Sequence, residues 1–153
     1  MFDTNTNTIL CTIDTKFRKP NLIFKHGDDG EKFGATTYHA TSTRIDLEVN
    51  SHSIEMRPTK IFGSSYSYES PVFGNTAMTW KSGSLWKKVD FVLLDEQALS
   101  VARCSAPYLS TDFSGNIEFL NSRANDTQAK EEILIGAMSL VYYTITTYYA
   151  AIA

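Results

Sequence analysis

Apolar and polar residues alternate with a period of two along much of the chain, which is typical of β-strands that bury one face. The segment TRIDLEV shows this most clearly, because Ile45, Leu47 and Val49 alternate with charged residues. The segment SIEMR continues the pattern, with Ile54 and Met56 on one face. The stretch NSHS between the two segments predicts a turn, so together they predict a hairpin.

Similar short runs recur along the chain: NLIFKH, GATTYHA, SYSYES, AMTWK, VDFVLLDE, LSVAR and NIEFL. The connecting segments HGDDGEKFG, KSGS, DEQ and FSGN are rich in the Gly, Asp and Ser residues that favour turns. Short, frequent strands without helical periods between them predict an antiparallel sandwich or barrel. No repeat and no low-complexity linker divides the 153 residues, so we expect one domain over 1–153.

The C-terminal part of the chain departs from this pattern. Asp126 is a predicted helix N-cap, and TQAKEE places acidic residues in the first turns, where they favour the helix dipole. No proline follows, so we predict a helix over about residues 126–151. The strong β-propensity of YYTITTYY is the main feature against this prediction.

The 21 residues after Glu132 carry no charge, and a tract of this length can cross a membrane. Its composition suits a span poorly, because Tyr142 and Tyr143 lie midway along it, whereas tyrosine concentrates at membrane interfaces. Basic flanking residues are also missing. We therefore expect a helix buried on all sides by the protein's own strands, with a tail anchor as the alternative.

A helix buried on every side requires more than one flat sheet or a two-layer sandwich. A wide closed barrel can surround it, and the short runs provide about nine to twelve strands. The predicted fold is therefore mainly β, a closed antiparallel β-barrel around a central hydrophobic helix at the C-terminal end of the chain.

Composition and charge narrow the range of functions. The formal net charge of −3 argues against a large surface for nucleic acid, which would need clustered Lys and Arg. Cys11 and Cys104 lie far apart and are expected to be reduced, partly buried thiols. No signal peptide is recognisable at the start, so we expect a cytoplasmic protein.

Few residues suggest catalysis or a cofactor. The sequence lacks GxSxG, P-loop and GxGxxG motifs, and we expect no enzyme. The histidines His26, His39 and His52 show no metal-binding spacing, so neither a metal nor another cofactor is expected. A pair formed by Cys104 and a histidine distant in sequence stays open.

Three segments, in this order, resemble the tubby C-terminal-like superfamily: AMTWKSGSLWKKVDFVLLDEQALSVARCSA, GNIEFL and ILIGAMSLVYYTIT. This superfamily includes tubby proteins, phospholipid scramblases and plant LURP-one-related proteins, and the closest likeness is to its small fungal domains of unassigned function. The resemblance covers most of the chain and is strongest from about residue 43. It implies about twelve strands in a barrel around a central hydrophobic helix. Tubby proteins bind membrane phosphoinositides through basic surface residues, none of which is matched individually here.

The segment TWKSGSLWKK is the best candidate for a binding site. It places Lys81, Lys87 and Lys88 close to Trp80 and Trp86 around a predicted turn. Cationic side chains attract anionic headgroups, and exposed tryptophans insert at the membrane interface. The alternative is an ordinary hairpin with core tryptophans and solvated lysines.

A second basic set consists of Arg44, Arg57 and Lys60, interleaved with acidic residues. Cross-strand ion pairs are the expected role of this set.

We therefore predict a non-enzymatic binding module that docks on anionic phospholipid, such as a phosphoinositide, or on a protein partner, with peripheral association with membranes. Three alternatives stay open: a structural or oligomer-forming protein without a lipid ligand, a tail-anchored membrane protein, and a hydrolytic enzyme with a cysteine or histidine centre. The sequence identifies neither the ligand nor the oligomeric state.

Overall fold

The computed structural model describes residues 2–3, 8–9, 11–60, 64–83, 88–108 and 115–153. The protein is mainly β, with one ten-stranded antiparallel sheet and one C-terminal helix. The elements are β1 (Phe2–Asp3), β2 (Thr8–Ile9), β3 (Cys11–Thr15), β4 (Leu22–His26), β5 (Lys32–His39), β6 (Ser42–Val49), β7 (His52–Pro58), β8 (Tyr66–Ser70), β9 (Thr76–Ser82), β10 (Lys88–Leu94), β11 (Ser100–Pro107), β12 (Asn116–Phe119), a 3₁₀ turn (Ser122–Ala124) and α1 (Thr127–Ile152).

The large sheet follows the order of the chain. Each strand from β3 to β12 pairs antiparallel with the next one in sequence. Because the direction reverses at every strand, the connections β3–β4, β5–β6, β7–β8, β9–β10 and β11–β12 lie at one end of the sheet. The connections β4–β5, β6–β7, β8–β9 and β10–β11 lie at the other end.

The predicted closed barrel of about twelve strands is wrong for the described residues. A closed barrel requires its first and last strands to exchange hydrogen bonds. Here β3 and β12 are the two edges of a ten-stranded sheet and do not pair with each other. Among the described strands, β1 and β2 pair with one another in a separate two-stranded sheet.

The predicted hairpin is formed by β6 and β7. Ile45 lies opposite Met56, and Leu47 lies opposite Ile54. All four side chains are buried, as the alternating pattern predicts. The turn contains Asn50 and Ser51, both with positive φ, a conformation that asparagine tolerates better than most residues.

The helix α1 begins as the sequence predicts. Asp126 is its N-cap, and the carboxylate accepts hydrogen bonds from the backbone N–H groups of Gln128 and Ala129. Residues 132–137 are buried without interruption. Successive residues of a helix point about 100° apart, so this part of α1 is enclosed on all sides. Residues 146–153 are all exposed, so the predicted burial fails in the last two turns.

Polar contacts fix α1 to the sheet along its buried part. The hydroxyl groups of Thr36 on β5 and Ser139 on α1 are 2.7 Å apart, and both residues are fully buried. The Tyr38 hydroxyl donates to the Ser139 carbonyl oxygen at 2.8 Å. About 60° around the helix, Gly136 packs against the indole of Trp80 from β9. The helix contacts strands from β5 and β6 to β10 and β11, so the sheet curves around it.

The described residues include one helix that is long and apolar enough to cross a membrane, judged by length and composition alone. This helix is α1, and half of its apolar 18-residue window is buried inside the protein.

Candidate functional site

The two ends of the sheet are distinguished by the direction of α1 and by their charge. Tyr143 packs against Tyr66 at the start of β8, whereas Glu131 accepts a hydrogen bond from Asn50 in the β6–β7 turn. The helix therefore points its C-terminus toward the end that holds the β3–β4 and β7–β8 connections. We call this the basic end, defined by exposed cationic residues: Lys16, Arg18, Lys19, Arg57, Lys60, Lys81 and Lys88.

The opposite end is acidic. It is defined by the turns β4–β5 and β10–β11 and the start of α1, whose acidic residues are Asp28, Asp29, Glu31, Asp95, Glu96, Asp126 and Glu131. In contrast, the described residues of the five connections at the basic end contain no Asp or Glu. The net charge of −3 thus conceals a difference in charge between the two ends, although Arg123 pairs with Asp95 and Glu96 at the acidic end.

The β3–β4 loop is the most prominent feature of the basic end. Its sequence, KFRKPN, covers residues 16–21. The Phe17 side chain is fully exposed, at 108% of its reference area. Lys16 and Arg18, which flank it, are also exposed, and neither forms an ion pair within the described part of the chain. The Lys19 ammonium lies 3.5 Å from Nδ1 of His39.

The base of this loop is held by hydrogen bonds. The backbone N–H of Lys16 donates to the Asn21 carbonyl oxygen at 2.7 Å. The Asn21 side-chain oxygen accepts from the backbone N–H of Tyr38 at 2.9 Å, and the Asn21 N–H donates to the Thr36 oxygen. The loop is therefore fixed to β5 at its base, while its tip projects an apolar ring between cations.

The structure separates the predicted site residues. Trp80 is fully buried against Gly136, so its indole is not available at a surface. Lys81 and Lys88 are exposed at the basic end, and the Lys88 ammonium lies 4.0 Å from Asp90. The predictions for Trp86 and Lys87 fall on residues outside those described.

The second basic set forms one of the cross-strand ion pairs that the sequence predicts, together with pairs within single strands. Arg44 on β6 contacts Asp46 at 3.0 Å and Glu55 on the neighbouring β7 at 3.3 Å. Arg57 also pairs with Glu55. The third member, Lys60, is exposed after the end of β7.

The outer face of β5, β6 and β7 forms an open groove of about 550 Å³. Its charged lining residues include Asp46, Glu48 and Glu55. Glu48 pairs with Lys32 at 3.0 Å, and Arg44 pairs with the other two. The three carboxylates of the groove are therefore already paired with cations of the sheet itself.

Both cysteine thiols are buried, which disfavours a role as catalytic nucleophiles. Cys104 is 2% exposed, and burial raises the pKa of its thiol to about 12. Burial also raises the pKa of Cys11. Since the thiolate is the nucleophile, both groups are unreactive near neutral pH. In the part of the chain that the structure describes, no three His, Cys, Asp or Glu residues are grouped so as to hold a metal ion.

The β3–β4 loop was missed by the sequence interpretation, which looked for cations beside tryptophan. The available signal was Lys16-Phe17-Arg18-Lys19, three cations around one aromatic residue. That signal is short, and an aromatic residue between charged neighbours is as typical of a β-strand as of an exposed loop. Only the structure places Phe17 outside the sheet.

Comparisons with protein-family models, with curated proteins and with solved structures gave no match. We therefore infer function from the geometry of the basic end.

Proposed function

We propose that this protein is a non-enzymatic binding module that docks on anionic phospholipid membranes through its basic end. The observation that carries the proposal is the fully exposed ring of Phe17 between Lys16 and Arg18. Full burial of a phenylalanine side chain is favourable by about 1.5–3 kcal/mol. Insertion of Phe17 into the interfacial region of a bilayer would recover this free energy while the flanking cations contact the headgroups.

Electrostatic attraction supports the same orientation. Each Lys or Arg near an anionic membrane surface contributes about 1 kcal/mol, and the effect fades within a Debye length of about 8 Å at physiological salt. The acidic residues lie at the opposite end, where a docked membrane would be beyond this distance. The overall negative charge therefore does not oppose docking by the basic end.

The anchored base of the loop also favours binding. Because hydrogen bonds to Asn21 hold the loop ends, less conformational freedom is lost when the tip inserts. We propose that Lys81 and Lys88, with Lys87 as predicted from the sequence, contact the same membrane. Trp80 is not included because it is buried.

The proposed resemblance to the tubby C-terminal-like superfamily points in the same direction, since tubby proteins bind membrane phosphoinositides. Here the cations Lys16 and Arg18 are exposed on either side of an apolar ring. Such an arrangement suits a charged bilayer surface rather than one dissolved headgroup.

Vesicle flotation tests the proposal. We expect the purified protein to float with phosphatidylcholine vesicles that contain phosphatidylserine or a phosphoinositide, and to stay behind with phosphatidylcholine alone. Raising the salt concentration should weaken flotation, because the attraction is screened. If the protein binds none of the anionic vesicles at low salt, the proposal is overturned.

A further inference from the structure

The end of α1 projects from the sheet as a surface without charged side chains. Residues 146–153 are exposed, and the exposed fractions are 42% for Tyr148, 43% for Tyr149 and 62% for Ile152. The last turn carries no basic residue, although Lys or Arg is favoured there in helices that end in water. The exposed large side chains of this helix end are therefore two tyrosines and one isoleucine, with no charged side chain between them.

The two threonine hydroxyl groups of this segment are already satisfied. The Thr146 hydroxyl donates to the Tyr142 carbonyl oxygen at 2.8 Å, and the Thr147 hydroxyl donates to the Tyr143 oxygen at 2.8 Å. Hydroxyl groups bonded back to the helix can enter an apolar medium without an unpaired donor.

The same segment is fixed to the sheet through tyrosines. The Tyr149 hydroxyl donates to the Tyr108 carbonyl oxygen at 2.9 Å. The rings of Tyr108 and Tyr148 lie with centroids 4.7 Å apart. Tyrosine is a residue type that concentrates at the membrane interface. The helix end is therefore held at the basic end of the molecule, on the side that carries Phe17 and its flanking cations.

From these observations we infer that the last two turns of α1 form a second insertion element, which enters the interfacial region of the anionic bilayer that the β3–β4 loop contacts. This inference rests on the proposed function and adds the orientation of the bound protein. Phe17 and Ile152 face the lipid, and the acidic end faces away. The cations of the basic end also compensate the partial negative charge of the helix C-terminus.

An environment-sensitive fluorophore tests this orientation. A cysteine introduced by Ile152→Cys would carry the probe, and Gln97→Cys, in the exposed β10–β11 turn of the acidic end, is the matched control. The native thiols are buried with raised pKa values, so a maleimide probe reacts selectively with the introduced residue. Both labelled proteins are mixed with phosphatidylcholine vesicles that contain phosphatidylserine, and flotation of the same samples is measured.

We expect the probe at position 152 to shift its emission to the blue and to be quenched by spin-labelled lipid, while the probe at position 97 stays unchanged. Labelled protein that floats while its probe at 152 stays in water would overturn this inference alone. Labelled and unlabelled proteins that both fail to float would overturn the proposed function together with it.

A variant without a probe gives an independent readout. Ile152→Asn replaces an exposed side chain, so folding should be retained. We expect binding to anionic vesicles to weaken by roughly tenfold or more, because the variant loses the free energy of inserting an isoleucine side chain into the bilayer. Unchanged binding of a folded Ile152→Asn protein would contradict the inference.

Discussion

The Ser70 hydroxyl donates a 2.5 Å hydrogen bond to Oε1 of Glu132, a carboxyl that is 1% exposed on the enclosed part of α1. Among the described residues, Oε2 of Glu132 and the hydroxyl of the neighbouring Tyr68 are buried without a hydrogen bond of regular geometry, and the two groups are close enough to affect each other's pKa. Burial raises the pKa of Glu132 above its ordinary value of 4.5. The core thus contains a carboxyl that releases its proton more readily in the unfolded chain than in the folded protein.

Glu132→Gln should make the protein less sensitive to rising pH. Because the folded pKa is the higher one, the free energy of unfolding contributed by Glu132 falls as pH rises from about 4.5 to the raised pKa. Each unit of that difference corresponds to about 1.4 kcal/mol. Glutamine can still accept from Ser70 and carries no ionisable proton. Urea unfolding at several pH values measures the effect.

The matched control for this prediction is Glu69→Gln, which changes an exposed carboxyl on β8, next to Ser70. We expect the Glu132→Gln protein to gain stability over the parent as pH rises, and the control to follow the parent. Parallel pH profiles for all three proteins would show that Glu132 is not the group responsible.

Gly34 on β5 is predicted to tolerate no side chain. A Cβ at this position would lie 2.8 Å from the Glu48 carbonyl oxygen and would overlap the Ile135 side chain of α1. We expect Gly34→Ala to reduce the free energy of unfolding by about 1–3 kcal/mol, the usual effect of overpacking. Ala77→Ser, at an exposed position of β9, should change it by about 0.5 kcal/mol or less. Equal stability of the two variants would refute the close contact between helix and strand.

Truncation should distinguish the two parts of α1. A chain ending at Glu132 loses the buried residues that fill the sheet, so we expect no cooperative thermal transition. A chain ending at Thr146 keeps all the buried helical residues and should still melt cooperatively. Differential scanning calorimetry measures both. A cooperative transition in the shorter chain would show that the strands fold without the helix.

The two cysteines should be inaccessible in the native protein. Burial raises the pKa of Cys104 to about 12 and also raises that of Cys11, so both groups remain protonated thiols near neutral pH. We expect Ellman's reagent to react slowly without denaturant and to titrate two thiols rapidly in guanidinium chloride. Rapid labelling of the native protein would contradict the placement of these side chains.

Local patterns predicted the strands and the helix because their causes are local. The alternation in TRIDLEV determines which face of β6 is buried, and Asp126 caps α1 through its immediate neighbours. Trp80 follows the same rule, since it shares a face with the buried Met78. For Trp80 the structure therefore agrees with the alternative of a hairpin with a core tryptophan, and not with a tryptophan at a binding surface.

Closure of the sheet and the position of the basic end depend on long-range pairing. Whether β3 meets β12 is decided by about a hundred intervening residues, and no short segment encodes it. Likewise, Phe17 and Ile152 lie at one end only because ten strands reverse direction in order. The contiguous cations around Phe17 were readable in the sequence, but their exposure was not.

The central claim, docking on anionic membrane by the basic end, is tested most directly by a comparison of two charge-reversal variants. Lys16→Glu/Arg18→Glu changes exposed residues beside Phe17. The control, Lys32→Glu/Lys130→Glu, makes the same change in charge away from the basic end.

Both variants are floated with phosphatidylserine-containing vesicles at low salt, after their folding has been verified by circular dichroism. We predict that the Lys16→Glu/Arg18→Glu protein stays unbound, because reversal replaces two attractions of about 1 kcal/mol each with repulsions, while the control floats like the parent. Equal flotation of the two variants would contradict docking by the basic end.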